Sequence, residues 1–560
     1  MASSQTFASS PNPVSLETRF PSPLALILIL FLSAFLLFVA IKPSKPTKAL
    51  LPPTPHGAWP LIGHLPQFIS AAKAHRLHLL VEQWIREYGK EEGLVRVRVA
   101  GVEVVHVGKD EAVKAIFDKA SAFTSERPRW IVSNELMTGK WNVLLLSASD
   151  KRWKNQRKVI NSTLTSIPRA DAGVPILERE SLAFLHEVAH DPGVAKDSKK
   201  IMASIARYTY SAFAQQTFGL EVPQYATSDV LHYIHETGLA QILGTLPGAF
   251  LVDVFNFLDY LPLFLKPWER AAKERFRRDV AFSCERMKRI KKLMQEGYMP
   301  DSMLARALTD EKRLGFESEE EAAYLSLNLI IGAADTSQMS TWSFLEAMLL
   351  NPEIQKKAQN EIDSVVGNRV PMWSDFEQIP YVRCMMKEVW RWHPPVTLGH
   401  PHITTREIQF KGYVIPKGMR IQLNAWAIGR DPKRHKDPER FWPERFEGDA
   451  TTPQQSANLV DPTQRDHFAF GAGRRICPGI NVAERSLAIA MMRILWAFDV
   501  RPSPTASHPL NPRNWPGDPP GNPSDEMPVV LEPRSEERVK AIDEAWSREQ
   551  TGHPRRGTME

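Results

Sequence analysis

The sequence predicts one large, mainly α-helical domain with small β-sheets, preceded by a single apolar membrane helix. Three observations carry this reading. Long amphipathic stretches dominate, at Ser181–Ala189, Val280–Glu296, Glu319–Leu350 and Pro352–Val366. Two short patches carry β signals, Val95-Arg-Val-Arg-Val with Val102-Glu-Val-Val-His-Val, and Ile408–Ile415 with Arg420–Leu423. One uninterrupted apolar run, LALILILFLSAFLLFVAI, occupies residues 24–41 and is not repeated elsewhere.

That run sets the N-terminal organisation. Eighteen helical residues reach about 27 Å, close to the roughly 30 Å hydrocarbon core of a bilayer. A cleaved signal peptide would be shorter and would follow a positive segment. Here Glu17 and Arg19 cancel before the run, while Lys42, Lys45 and Lys48 follow it. The positive-inside rule then puts residues 1–23 in the lumen and the rest of the chain in the cytosol. Residues 42–57 are rich in proline and form a stiff extended linker. The main domain follows over 58–534, and 535–560 form a C-terminal tail with an exposed amphipathic helix and a polar, disordered end. Asn161-Ser-Thr163 has the pattern of a glycosylation acceptor, but this topology keeps it cytosolic and unmodified.

Composition narrows the class further. The 560 residues carry a formal charge of only +6, with no Lys/Arg block interleaved with aromatics, which argues against a nucleic-acid partner. The three cysteines, Cys284, Cys384 and Cys477, form no CxxC pair and no disulfide framework, as suits a reducing compartment. Between Asn424 and His467 the chain is rich in Pro, Arg and Asp and reads as an irregular meander. Such a length without regular structure implies a structural task.

The most informative stretch is Phe470-Gly-Ala-Gly473-Arg-Arg475-Ile-Cys477-Pro-Gly479, which runs into a helix-competent segment from Asn481 to Trp496. Gly471, Gly473 and Gly479 permit tight turns and close backbone approach. Backbone N–H groups of the loop and of the following helix can stabilise a thiolate. An isolated cysteine before a helix is usually a small buried hydrophobe. Ten contiguous positions of this grammar are not. The loop resembles the cysteine-ligand signature of cytochrome P450 enzymes at Phe470, Gly473, Arg475, Cys477 and Gly479.

Other segments resemble the same family in order along the chain. Glu388-Val-Trp-Arg391 precedes the helix stop Trp392-His-Pro-Pro395, and Phe441-Trp-Pro-Glu-Arg445-Phe446 resembles the family's meander motif. The resemblance implies a buried Glu388–Arg391–Arg445 cluster with a structural role. Trp153-Lys-Asn-Gln-Arg157 places two residues at i and i+4 that the resemblance directs, with Arg475 and His402, toward haem propionates. In Gly332-Ala-Ala-Asp335-Thr336 a long apolar helix is interrupted by small residues and an acid–alcohol pair, which the family uses to relay protons. Ala333 stands where a second glycine is common, a slight narrowing.

The resemblance spans roughly residues 50–545. It implies the family's triangular, mostly helical fold, with haem b held between the oxygen-handling helix and the cysteine loop on an axial thiolate from Cys477. Asp335 and Thr336 would then be catalytic. The implied reaction inserts one oxygen atom of O2 into an apolar small molecule. Electrons would come from NADPH through NADPH–cytochrome P450 reductase, with cytochrome b5 as an optional second donor. A fungal microsomal enzyme of secondary metabolism, acting on a terpenoid, polyketide or alkaloid at the endoplasmic reticulum membrane, is the expectation. Two alternatives stand beside it: a same-fold isomerase or dehydratase needing no external electrons, and a non-catalytic haem-thiolate sensor. The aromatic run Leu243–Leu265 is read either as core or as a substrate entrance dipping into lipid. Basic residues at Lys151–Lys158 and Lys433–Lys436 would receive an acidic reductase.

Overall fold

A computed structural model of the protein describes residues 50–223, 229–504, 510–517, 527–552 and 557–559. The expected membrane helix at 24–41 and the lumenal segment before it lie outside the described residues. Among the described residues, no helix is long and apolar enough to cross a membrane. Residues 51–560 form one compact unit. The end of the proline-rich segment belongs to it: Arg96 N donates to Pro53 O at 2.8 Å, so residues 51–57 are fastened to the domain and are not a free spacer.

Helix α1 (Leu77–Tyr88) leads into a hairpin of β1 (Leu94–Val99) and β2 (Val102–Val107). The alternation read from the sequence is reproduced in space, with Val95, Val97 and Val99 buried and Arg98 exposed. The main helices follow as α2 (Lys151–Ile160), α3 (Val174–His190), α4 (Ser198–Thr217), α5 (Asp229–Leu243) and α6 (Pro267–Gln295). Next come α7 (Glu319–Leu350), α8 (Pro352–Val366) and α9 (Pro380–Trp392). The short strands β3 (His402–Ile403), β4 (Ile408–Phe410), β5 (Tyr413–Ile415) and β6 (Arg420–Leu423) precede the meander. After it come α10 (Ile480–Ala497), the pair β7 (Phe498–Pro502) and β8 (Val529–Pro533), and α11 (Glu536–Gly552).

Helix α7 is the spine. Ser318 caps it by accepting from Glu321 N at 3.2 Å, and Glu319, Glu320 and Glu321 place negative charge against the positive end of its dipole. It is buried on nearly every side and packs against α4, α6 and α10. Pro352 follows Asn351 and starts α8 at the position where proline loses no helical hydrogen bond.

The β patches behave differently from their sequence grouping. β4 and β5 pair with each other, but β6 crosses to the first hairpin and lies parallel to β2, Val104 opposite Arg420 and Val107 opposite Leu423. The four-stranded order is β1-β2-β6-β3. The β7–β8 pair was not anticipated. Helix α11 is not the exposed tail helix expected from its composition: Ile542 is 1% exposed, and Arg538 and Arg534 both bind Asp363 of α8.

Candidate active site

The loop ahead of α10 is built by close approach. Gly473 has φ +65°, and a Cβ there would stand 2.0 Å from the carbonyl oxygen of Phe117. Only glycine fits. Gly473 N donates to Asp118 Oδ1 at 3.0 Å, and Arg465 holds that carboxylate at 2.6 Å. Cys477 N donates to Phe470 O at 2.8 Å, closing the turn. Phe470 is wedged edge-on against Trp390 at 4.9 Å. Gly479 caps α10, two residues beyond the cysteine. Burial pushes the Cys477 thiol up, while the Gly479 N–H and the Arg157 charge oppose that shift and favour thiolate. Of the three cysteines only this one has such surroundings. Cys384 is buried and its thiol is pushed up to about 11, chiefly by burial.

Cys477 lines a cavity of about 1290 Å³ that extends to α7, α5 and the segment after α9. Ligand sites commonly occupy about 300–1,000 Å³, so this one has room for a large group and a second molecule. On the α7 side, Gly332 is exposed in the middle of a mostly buried helix, and a Cβ there would meet nothing within 4 Å. Thr336 Oγ1 donates back to Gly332 O at 3.0 Å. Its neighbour Asp335 is engaged elsewhere: its carboxylate accepts from Tyr210 of α4 and from Gln338 at 3.1 Å, with His235 Nδ1 of α5 at 3.7 Å. Burial and the Asp335 charge hold Tyr210 well above the usual phenol range, and the same carboxylate raises His235. Gly238 lets α5 come this close, since a Cβ there would meet Ile331 at 2.7 Å.

Three guanidiniums converge on the cysteine side. Arg475 donates to Ser125 O at 2.8 Å and to Leu146 O, and Arg157 donates to Ile476 O at 2.9 Å. Trp153 stands beside both, its ring 4.5 Å from Arg475 and 5.9 Å from Arg157. The third, Arg127, belongs to none of the sequence motifs. It is 7% exposed and donates to Pro401 O at 2.6 Å and Leu144 O at 2.9 Å. Burial holds Arg475 down at about 9 and Arg127 well below its ordinary range. His402 is fixed by its Nδ1, 2.7 Å from Thr124 O. Burial and Arg127 hold it neutral, so Nε2 donates only if an anion beside it restores the second proton.

These residues pass the test for an anionic iron porphyrin. Among the described residues, these three guanidiniums bond backbone carbonyls and make no ion pair within 4.0 Å, although a cation shielded from water, as Arg127 is, is costly unless paired. Two carboxylates presented at this wall would compensate them. A thiol-bearing residue sits at the same cavity, and α7 across it leaves open space at Gly332. Glu388, Arg391 and Arg445 lie behind the loop. Glu388 accepts from Arg391 at 2.6 and 2.8 Å, from Arg445 at 3.1 Å and from Trp442 N at 2.7 Å.

Further polar side chains at the cavity were also missed. Asn142 Nδ2 donates to Gln241 Oε1 at 2.9 Å and to Asn328 Oδ1 at 3.1 Å, joining the segment before α2 to α5 and α7. Each lies far from the others in sequence, and a lone Asn or Gln carries no spacing signal.

A mostly helical domain with a thiol at the head of one helix, facing a small-residue break in another across a large cavity, defines the class of haem-thiolate oxidoreductases. The comparisons name the family. The sequence profile of the family described as Cytochrome P450 matches residues 52–519. A cytochrome P450 monooxygenase of Gibberella fujikuroi is 54% identical over 506 residues, covering 90% of this chain and 91% of the relative. Cytochrome P450 monooxygenase virE of Hypocrea virens is 34% identical, covering 87% and 86%. A zebrafish cytochrome P450 solved with progesterone superposes with a TM-score of 0.63 at 21% identity, covering 82% of this chain and 99% of that one, and shares the fold. The chain belongs to the cytochrome P450 family and is a monooxygenase-class oxidoreductase. The family implies haem on a cysteine thiolate, a redox partner and an apolar substrate.

Proposed function

We propose that the chain inserts one oxygen atom of O2 into a C–H bond of an apolar small molecule, with Cys477 as the thiolate that would hold the haem iron. The other oxygen atom leaves as water, which takes two electrons and two protons. The electrons come from NADPH through a separate reductase. Bound haem supplies the redox chemistry that splits dioxygen. The observation that carries the reading is the pairing of the Cys477 thiol at one cavity wall with buried Arg127 and half-buried Arg157 and Arg475, which make no ion pair within 4.0 Å among the described residues.

The residues of the chain do the rest. Arg127, Arg157, Arg475 and His402 would hold the two propionates, and Trp153 keeps the Arg157 and Arg475 side chains in place. The ring of His235 is 56% exposed and its Nδ1 faces Asp335, so a proton passes from solvent to Asp335 Oδ1. Onward transfer requires the carboxylate to release Tyr210 or Gln338 and turn toward Thr336, whose Oγ1 presents a proton at the cavity. Gly332 and Ala333 leave space for dioxygen and substrate.

The surroundings support a membrane-bound enzyme of the endoplasmic reticulum facing the cytosol. The run after α5 is core only in part: Val252 is buried, whereas Leu251, Tyr260, Leu263 and Phe264 are 62%, 88%, 64% and 83% exposed. An exposed apolar patch of this kind suits a lipid surface. Exposed Lys151, Lys154 and Arg474, in and near the cysteine-side elements, offer positive charge to an acidic reductase. Arg434 and Lys433 contribute less than their sequence suggests, being paired with Asp110 and Glu91. A fungal secondary metabolite is the substrate class we assign.

The test is spectroscopic and then stoichiometric. Cys477→Ala should abolish the red-shifted band of the reduced carbonyl complex, whereas Thr336→Ala should keep it and lower product formed per NADPH consumed. An unchanged band in the first variant removes the ligand assignment. Turnover without NADPH and reductase would favour the isomerase reading instead.

A further inference from the structure

Among the described residues, one group of three side chains far from the cavity converges closely enough to hold a metal ion. His186 and His190 are four residues apart on α3, so both rings leave the same helical face, with centroids 4.7 Å apart. Asp543 comes from α11. Its Oδ1 lies 2.6 Å from His190 Nε2 and 3.8 Å from His186 Nε2. One ligand atom from each residue falls within 4.8 Å of the other two.

We propose that His186, His190 and Asp543 form a structural site for a divalent cation of the zinc class, tying the C-terminal helix to α3. Two imidazoles and a carboxylate are a donor set zinc accepts, with water completing a tetrahedron. Bonds of about 2.0–2.2 Å at tetrahedral angles place donor atoms roughly 3.4 Å apart. The two distances to Asp543 Oδ1 fall on either side of that value, so side-chain torsions close the site without moving either helix. A hydrogen bond alone accounts for His190, but not for a second imidazole whose Nε2 stands 3.8 Å from the same oxygen, too far for a hydrogen bond.

The ligands are pre-positioned. Trp546 stacks on His186 at 5.4 Å, and Ile542, next to Asp543 in sequence, is buried. Burial and the neighbouring His190 hold the His186 imidazole below its ordinary range, while Asp543 opposes this, so the ring offers a lone pair near neutral pH. The three side chains are 25%, 45% and 42% exposed, so solvent metal reaches them.

The experiment uses the full-length, untagged, haem-loaded protein, stripped with chelator and titrated with Zn²⁺ alone by calorimetry. Hydrogen exchange is followed over Glu536–Gly552. The expected result is uptake of one equivalent with micromolar affinity and exchange in α11 slowed by about tenfold or more, since an ion bound only by the docked state suppresses undocking. His186→Ala and Asp543→Asn should each abolish the uptake while leaving the reduced carbonyl spectrum intact. Failure of the unsubstituted protein to take up one equivalent, uptake that survives either substitution, or uptake without slowed exchange would overturn the proposal.

Discussion

Gly471, Gly473 and Gly479 look equivalent in the cysteine-loop motif, yet their geometry predicts three different responses to one added methyl group. At Gly473 two costs combine. The φ of +65° costs a non-glycine residue about 1 kcal/mol. The new Cβ would also stand 2.0 Å from Phe117 O, where contacts under 3.0 Å essentially never occur, and the obstacle is backbone. The loop must retreat by about an ångström, which strains the Gly473–Asp118 bond and displaces the turn that ends at Cys477. We expect a total of about 3–5 kcal/mol, the range of backbone strain combined with overpacking. At Gly471 φ is +75° but nothing lies within 4 Å, so only the first cost of about 1 kcal/mol applies. At Gly479 φ is −82° and the nearest atom is the Cys477 sulfur at 3.7 Å, an ordinary contact. The assay is the yield of the thiolate-type reduced carbonyl band for the three Gly→Ala variants. Gly473→Ala should lose most of it and the other two should keep it. Equal impairment of all three, or a full band from Gly473→Ala, would refute the reasoning.

Two further outcomes follow from buried charge. Glu388→Gln leaves Arg391, fully buried, and Arg445, nearly so, without their carboxylate; unfolding experiments should show a loss of about 3–5 kcal/mol. Burial holds His106, His435 and His467 at about 3, 2 and 3, so they stay neutral in the fold while the unfolded chain protonates them below about 6.5. Stability is therefore full above that pH and falls as pH drops from 6.5 toward 3, by up to ~1.4 kcal/mol per pH unit for each histidine. His106→Leu should flatten the slope of denaturation midpoint against pH, and an unaltered slope would contradict the assignment.

Local signals were legible where a local cause fixes the structure. The bounds of α7 and α8 coincide with the sequence reading because Ser318 and Asn351-Pro352 punctuate them. The cysteine loop was legible because its determinants, Gly473 above all, lie within one run of ten contiguous residues. Helix α6 begins at Pro267, well before the expected Val280, since its first turns are so charged that no apolar stripe shows. The partner of β6 could not be read, because pairing across the chain leaves no mark in either strand's period. Likewise Arg127, Tyr210 and the α5 residues His235 and Gln241 carry no spacing signal that links them, and only folding brings them to one cavity.

The β2–β6 pairing has a consequence for how the protein is made. The hairpin that includes β2 is complete once about a fifth of the chain exists, but its parallel partner is translated roughly 300 residues later. At about 5–20 residues per second, the β2 edge waits roughly 15–60 s on the ribosome with its N–H and C=O groups unpaired. Folding of the helical body proceeds meanwhile from contacts closer in sequence. The nascent chain is thus most open to wrong β pairing during the interval before Arg420–Leu423 emerges, and the small sheet, rather than the long helices, sets the length of that exposure.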